Sequence, residues 1–321
     1  MKNSIRIYII SSPHSGSTLL SHVLGKHPQA LNLGEVSFLP KLLALEEPCS
    51  CGEAISRCEF WCQVLGELAK RTGKDLRLNP YAAYLGDAPK GKLGSGLIDH
   101  KYQTPFRYGL MKARGALDTV SVLYAPPSIG LKALSLPLFT KAATNTIELY
   151  EAACRYTGKD VIIDASKMPR KAAHLYAAAP EQVYVIHLVR DGRGVVASRK
   201  KYMPVKDAAR RWSHYQKLSR RLLQRWVPEK NRIRLLYEDF VSDPEASLRS
   251  AFRWIGLSYD SECLKFRPGS ISHSAGGNPA RFEMSQGIRA ADNRWRTELS
   301  QEDLATFEKY AGQQNRWFGY E

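Results

Sequence analysis

Ser11-Ser12-Pro13-His14-Ser15-Gly16-Ser17-Thr18 is the stretch that decides how this 321-residue chain folds. It follows an apolar, β-branched run, Arg6 to Ser11, and leads into a helical pattern that opens near Ser17. That pattern continues through Leu19, Leu20, Val23 and Leu24 until His27-Pro28 stops it. A strand, a short turn and a helix in this order leave the first N–H groups of the helix pointing outward beside the sheet edge. Gly16 lets the backbone approach a ligand closely, and Ser17 and Thr18 add hydroxyls, so the loop reads as a phosphate cradle. The same residues would also make an ordinary serine-rich helix cap. The loop lacks the Gly-x-x-x-x-Gly-Lys-Ser/Thr pattern, and with it the lysine that reaches the β- and γ-phosphates of a nucleoside triphosphate. An ATPase or nucleotide kinase is therefore the weaker reading.

Three further β-branched runs read as buried parallel strands: Asp160 to Asp164, Val183 to Val189 and Arg232 to Tyr237. Strands alternating with helices, one of them spanning roughly Pro137 to Tyr156, predict an α/β fold: a P-loop-like, three-layer arrangement of a central parallel sheet flanked by helices. There are no repeats and no low-complexity linker, so residues 1–321 are expected to form a single domain. Residues 41–130 lack strand signals and carry glycine punctuation at Gly91 to Gly96; they are expected to form a mostly helical insertion near the acceptor site.

The second of these runs, Val183 to Val189, ends in Arg190-Asp191-Gly192-Arg193-Gly194-Val195-Val196-Ala197-Ser198. Arg190 stands at the carboxyl edge of a strand, where ligands of open α/β sheets bind, and Ser198 lies about two helical turns further on. An arginine at a strand end can be merely solvated. Two anion sites following two strands of one sheet suit a nucleotide with separate 5′ and 3′ phosphates.

In these loops the sequence resembles the sulfotransferase superfamily that uses 3′-phosphoadenosine 5′-phosphosulfate. Gly34-Glu35, Asp164-Ala165-Ser166-Lys167, Tyr237-Glu238-Asp239-Phe240 and Asp243-Pro244 extend the likeness over most of the chain. It looks closest to small prokaryotic members and, at Gly34-Glu35, to the tyrosylprotein and carbohydrate branches. The resemblance implies that Pro13, His14, Ser15, Gly16, Ser17 and Thr18 hold the 5′-phosphate, and that Arg190 and Ser198 hold the 3′-phosphate. Tyr237 is expected to pack on the nucleotide, and Arg281 and Arg289 are candidate 3′-phosphate or adenine contacts. Two departures stand out. His14 occupies the position where the family carries Arg or Lys, and Ile288-Arg289-Ala290 stands in place of an Arg-Lys-Gly signature.

The resemblance also implies sulfuryl transfer to a hydroxyl or amine acceptor, leaving adenosine 3′,5′-bisphosphate, with no metal required. Lys167 is the expected cation on the bridging oxygen, assisted by His14 and Ser17, and Glu35 the expected base. Glu35 would alternatively be a first-turn acid of a helix containing Phe38 and Leu42. His22, His27, His100, His174 and His273 are the lesser candidates for the base.

The formal net charge of +16 is concentrated between Arg190 and Arg234, where Lys and Arg greatly outnumber Asp191, Asp207 and Glu229. Such a field attracts anions. No nucleic-acid-binding motif accompanies it, so a phosphorylated cofactor is expected rather than nucleic acid. No apolar stretch approaches the ~20 residues that span a bilayer. The run Ile5 to Ile10 is too short for an export signal, and a soluble cytoplasmic protein without disulfides is expected. Cys49, Cys51, Cys58 and Cys62 cluster, but Cys-x-Cys with Cys-x-x-x-Cys departs from the paired Cys-x-x-Cys of zinc ribbons. Reduced packing cysteines, or a disulfide stabilising a lid, are expected before zinc.

Overall fold

The computed structural model describes residues 4–83, 85, 105–124, 137–266, 272–282, 287–289 and 292–321. Five strands form one parallel sheet: β1 (Ile5–Ile10), β2 (Ala30–Gly34), β3 (Val161–Asp164), β4 (Val183–Val189) and β5 (Arg232–Leu236). Their spatial order is β2-β3-β1-β4-β5. From β1 the chain jumps to the edge strand β2, returns to place β3 between β2 and β1, and then crosses to the other side of β1 for β4 and β5. The strand order reverses beside β1, and a crevice opens there at the carboxyl ends of β1 and β4.

Alternation along β1 sorts the core into two layers. Ile7 and Ile9 point to one face, where they pack with Leu20, Val23 and Leu24 of α1 (Ser17–Gly25) and with Leu248 and Phe252 further along the chain. Tyr8 and Ile10 point to the other, against Trp61 and Val64, Leu149 and Tyr150, and Leu175. With both faces covered, β1, β3 and β4 read as nearly continuous apolar runs. The three-layer α/β architecture expected from the sequence is the one observed.

One strand was not expected. β2, Ala-Leu-Asn-Leu-Gly, has no β-branched residue and a polar Asn32 at its centre. Asn32 faces inward, its Oδ1 accepting the Gly34 N–H at 2.9 Å, so the polar atom is satisfied where it is buried. Within the segment expected to be helical, the described residues form α2 (Leu39–Ala44), α3 (Glu59–Thr72) and α4 (Pro105–Tyr124). Gly91 to Gly96 and His100 lie outside the described residues. The expected long helix is α5 (Pro137–Thr157). Among the described residues no helix is long and apolar enough to cross a membrane.

Candidate active site

A cavity of about 1230 Å³ lies at the carboxyl end of the sheet, at the switch in strand order. It exceeds the ~300–1,000 Å³ that encloses one drug-sized ligand. Among the described residues, six Lys and Arg side chains line it: Lys41, Lys167, Arg170, Arg190, Lys201 and Arg294. Three acids, Glu35, Asp292 and Glu298, oppose them.

The first loop contributes Ser11, Pro13, His14, Gly16, Ser17 and Thr18 to the wall. Helix α1 begins with no side-chain cap and no acidic residue in its first turn, so its opening N–H groups and dipole face the cavity uncompensated. Gly16 precedes it with φ 84°, in the left-handed region, and a Cβ there would lie 2.4 Å from the Tyr237 ring. Glycine is thus required twice, by backbone sign and by the tyrosine beneath it. Ser15 turns inward, its hydroxyl 2.7 Å from that of Ser12, and supports the loop instead of lining it. The buried Ser11 hydroxyl has no partner among the described residues and sits in the cavity wall.

His14 also holds a left-handed backbone, φ 68°, which costs a non-glycine residue about 1–2 kcal/mol. Burial lowers its pKa, and Arg199, Lys167, Lys201 and Arg190 lower it further. At neutral pH the imidazole is uncharged. His14 therefore brings no cation in place of an Arg or Lys; Arg190 donates to its carbonyl at 2.9 Å.

Lys167 has the same backbone sign, φ 63°. Tyr215 donates to its carbonyl at 2.7 Å, and Met168 N–H donates to the Tyr8 hydroxyl at 3.2 Å. Asp164, which receives the Tyr150 hydroxyl at 2.5 Å, accepts from Ser166 N–H at 2.8 Å. This buried network fixes the turn after β3 and aims Lys167 Nζ at Glu35 Oε1, with which it forms an ion pair. Glu35 comes to the pair from the end of β2. Gly34, φ 76°, lets the chain pass against Ala275, whose carbonyl accepts the Glu35 N–H at 2.6 Å. The Glu35 carboxylate does not cap the short turn Val36–Phe38 that follows it. The helix-acid alternative for Glu35 is therefore not what the structure shows.

At the end of β4, Arg190 is only 7% exposed. Its guanidinium lies 5.0 Å from the Tyr237 ring centroid and pairs with the Asp292 carboxylate at 3.1 Å. Asp292 also receives Arg294 at 2.8 Å, and these partners hold its pKa well below the usual carboxylate range. Ser198 reaches the cavity too, with its hydroxyl donating to the Gly194 carbonyl at 3.0 Å. The two elements foreseen as anion sites thus meet in one cavity.

Two other expected contacts do not reach it. Arg281 donates to the Gly277 and Pro48 carbonyls at 2.9 and 3.2 Å and secures its own loop, and the exposed Arg289 is not among the described residues that line the cavity. Of the described histidines offered as bases, none lines the cavity: His22 sits 6.3 Å from the Phe266 ring, His27 packs on Phe252, His174 contacts Asp118, and His273 faces the cysteines. Asp292, Lys41, Arg170 and Lys201 were missed as site residues. Only the basic character of the 190–234 segment hinted at Lys201.

A protein-family model for the sulfotransferase family matches residues 6–261. Among solved structures, a sulfotransferase domain from the curacin biosynthetic pathway is 17% identical, with a TM-score of 0.51, covering 99% of this chain and 98% of that one; this likeness shows the fold. A sulfotransferase domain from the olefin synthase of Synechococcus PCC 7002 is 18% identical, with a TM-score of 0.48 and coverage of 100% and 97%. No curated protein matches. The match across both anion loops and the sheet between them establishes that this chain belongs to the sulfotransferase family, whose reaction is sulfuryl transfer from 3′-phosphoadenosine 5′-phosphosulfate.

Proposed function

We propose that this single-domain chain sulfates a hydroxyl or amine acceptor, with Glu35 as base and Lys167 as the cation at the departing oxygen. The Glu35–Lys167 ion pair in the wall of the sheet-edge cavity carries this reading. The nucleotide's fit is supported by the uncapped head of α1, by the unpartnered Ser11 hydroxyl and by Arg190 at the next strand end. When bound, 3′-phosphoadenosine 5′-phosphosulfate supplies the activated sulfuryl group. The loop from Pro13 to Thr18 holds its 5′ end, Arg190 and Ser198 hold the 3′-phosphate, and Tyr237 packs between the two sites.

Glu35 and Lys167 are coupled by their contact. A carboxylate that takes the acceptor's proton becomes neutral and holds the ammonium more weakly. Lys167 then directs its full charge to the oxygen that is gaining electrons, an interaction strongest in the transition state. His14 adds its imidazole and Ser17 a hydroxyl at that oxygen. The cavity wall also carries Phe38, Phe139, Lys41 and Arg170, which offer an acceptor both aromatic faces and positive charge.

Adenosine 3′,5′-bisphosphate in magnesium-free buffer should raise the melting temperature, while ATP with magnesium does much less. The reverse ranking would support a nucleotide kinase. With a confirmed acceptor, Glu35→Gln and Lys167→Ala should each lower kcat by about 10²–10³-fold and leave bisphosphate affinity within a few-fold. Undiminished turnover by either variant removes that residue from the mechanism.

A further inference from the structure

Away from the cavity, three sulfurs and one imidazole nitrogen converge. Cys49, Cys51, Cys58 and His273 each offer one ligand atom, and these four atoms all lie within 4.8 Å of one another. The sulfurs of Cys51 and Cys58 are 3.7 Å apart; His273 Nδ1 is 3.4 Å from the Cys58 sulfur and 4.0 Å from that of Cys49. A tetrahedral zinc ion with Zn–S of about 2.3 Å and Zn–N of about 2.0–2.1 Å requires S···S edges of roughly 3.8 Å and S···N edges of roughly 3.6 Å. The measured S···S edge is close to the first value, and the two S···N edges lie on either side of the second. A disulfide needs its sulfurs about 2.05 Å apart, and among the described residues all six cysteines are free.

We propose that Cys49, Cys51, Cys58 and His273 bind one zinc ion as a closed structural site. Four protein ligands leave no position for water or substrate, and thiolates with an imidazole suit a borderline-soft divalent ion. The spacing in the sequence pointed away from zinc because it counted Cys62 as the fourth ligand. Cys62 turns elsewhere, its thiol donating to the Ser56 carbonyl at 3.3 Å. The fourth ligand arrives from a segment 215 residues beyond Cys58.

The surroundings hold the ligands in place. Pro48 and Ala54 pair across a tight hairpin that presents Cys49 and Cys51, and Cys58 stands immediately before α3. The His273 ring stacks on Phe60 with centroids 5.0 Å apart and planes 13° apart. Ser50 donates to the Ser272 carbonyl at 2.6 Å and accepts the Ser274 N–H at 2.8 Å, so the hairpin and the His273 segment are already in register. Two residues after His273, Ala275 bridges to Gly34 and accepts from Glu35 N–H. A metal here fastens the hairpin to the strand edge that carries the proposed base, without taking part in its chemistry.

The proposal is independent of the sulfuryl-transfer reading, since its readout is metal content. Full-length protein purified under reducing conditions should carry one zinc per chain by elemental mass spectrometry. Replacement by cobalt(II) should give the visible bands of a tetrahedral ion and a thiolate-to-cobalt charge-transfer band. Cys58→Ser and His273→Ala should lose the stoichiometric metal, and Cys62→Ser should keep it. If the ligand variants fail to fold, the cobalt spectrum of the wild-type chain decides. Substoichiometric zinc with no tetrahedral cobalt spectrum overturns the proposal. So does a Cys62→Ser variant that loses its metal.

Discussion

The loops after β1 and β4 lie side by side on the same sheet edge and present positive charge in opposite ways. After β1, the field comes from backbone: the head of α1 has neither cap nor acid, and the nearby His14 is neutral. After β4, the helix Gly192–Lys200 is capped by Asp191, which accepts from Arg193 N–H at 2.9 Å, so its head is already satisfied. The charge there comes from the Arg190 side chain, itself countered by Asp292. A backbone site depends on shape and a side-chain site on charge balance. Each should fail differently.

The largest effect is expected where shape is broken. Gly16→Ala adds a left-handed alanine, about 1–2 kcal/mol, and an overpacked contact with Tyr237, about 1–3 kcal/mol. Calorimetry should find adenosine 3′,5′-bisphosphate binding nearly lost; wild-type affinity would mean that the loop is not the 5′-phosphate site. Next, Arg190→Ala should cost on the order of 2–3 kcal/mol of bisphosphate affinity, and Ser198→Ala about 1 kcal/mol, since one serine hydroxyl is a weaker partner than a guanidinium. Arg190→Ala should also erase most of the preference for 3′-phosphoadenosine 5′-phosphosulfate over adenosine 5′-phosphosulfate. Equal loss for both ligands would separate Arg190 from the 3′-phosphate. The smallest change has the opposite sign. Asp292→Asn removes the anion that competes for Arg190 and should tighten bisphosphate binding by about 1 kcal/mol or less. Weaker binding would make Asp292 a support for Arg190 and not its competitor.

The sequence disclosed what was local. Apolar runs bounded by glycine and proline mark β1, β3, β4 and β5 with their following loops, and so place His14, Gly16 and Arg190 at the sheet edge. β2 escaped because Ala30 to Gly34 contains neither branched residues nor alternation with solvent, being buried by tertiary contacts that its composition does not announce. The partners of the site were the least legible. Asp292 meets Arg190 across 102 residues, and His273 meets Cys58 across 215. Neither neighbour carries a local signal, because its meaning comes only from where the chain returns. Arg281 and Arg289 illustrate the converse, since their residue type suited an anion but neither is among the residues lining the cavity.

Asp292 also bears on how the protein behaves among the abundant small anions of a cell. An arginine left bare at a sheet edge would collect inorganic phosphate, sulfate and simple nucleotides, each occupying the pocket without advancing the reaction. Here any such ion must first displace a carboxylate held by two guanidinium groups, Arg190 and Arg294. A ligand anchored at one end only has little free energy to spare for that exchange. A nucleotide already seated on the neighbouring loop makes it at high effective concentration. On the proposed reading, the resident carboxylate would set an entry threshold that molecules carrying both phosphates cross more readily.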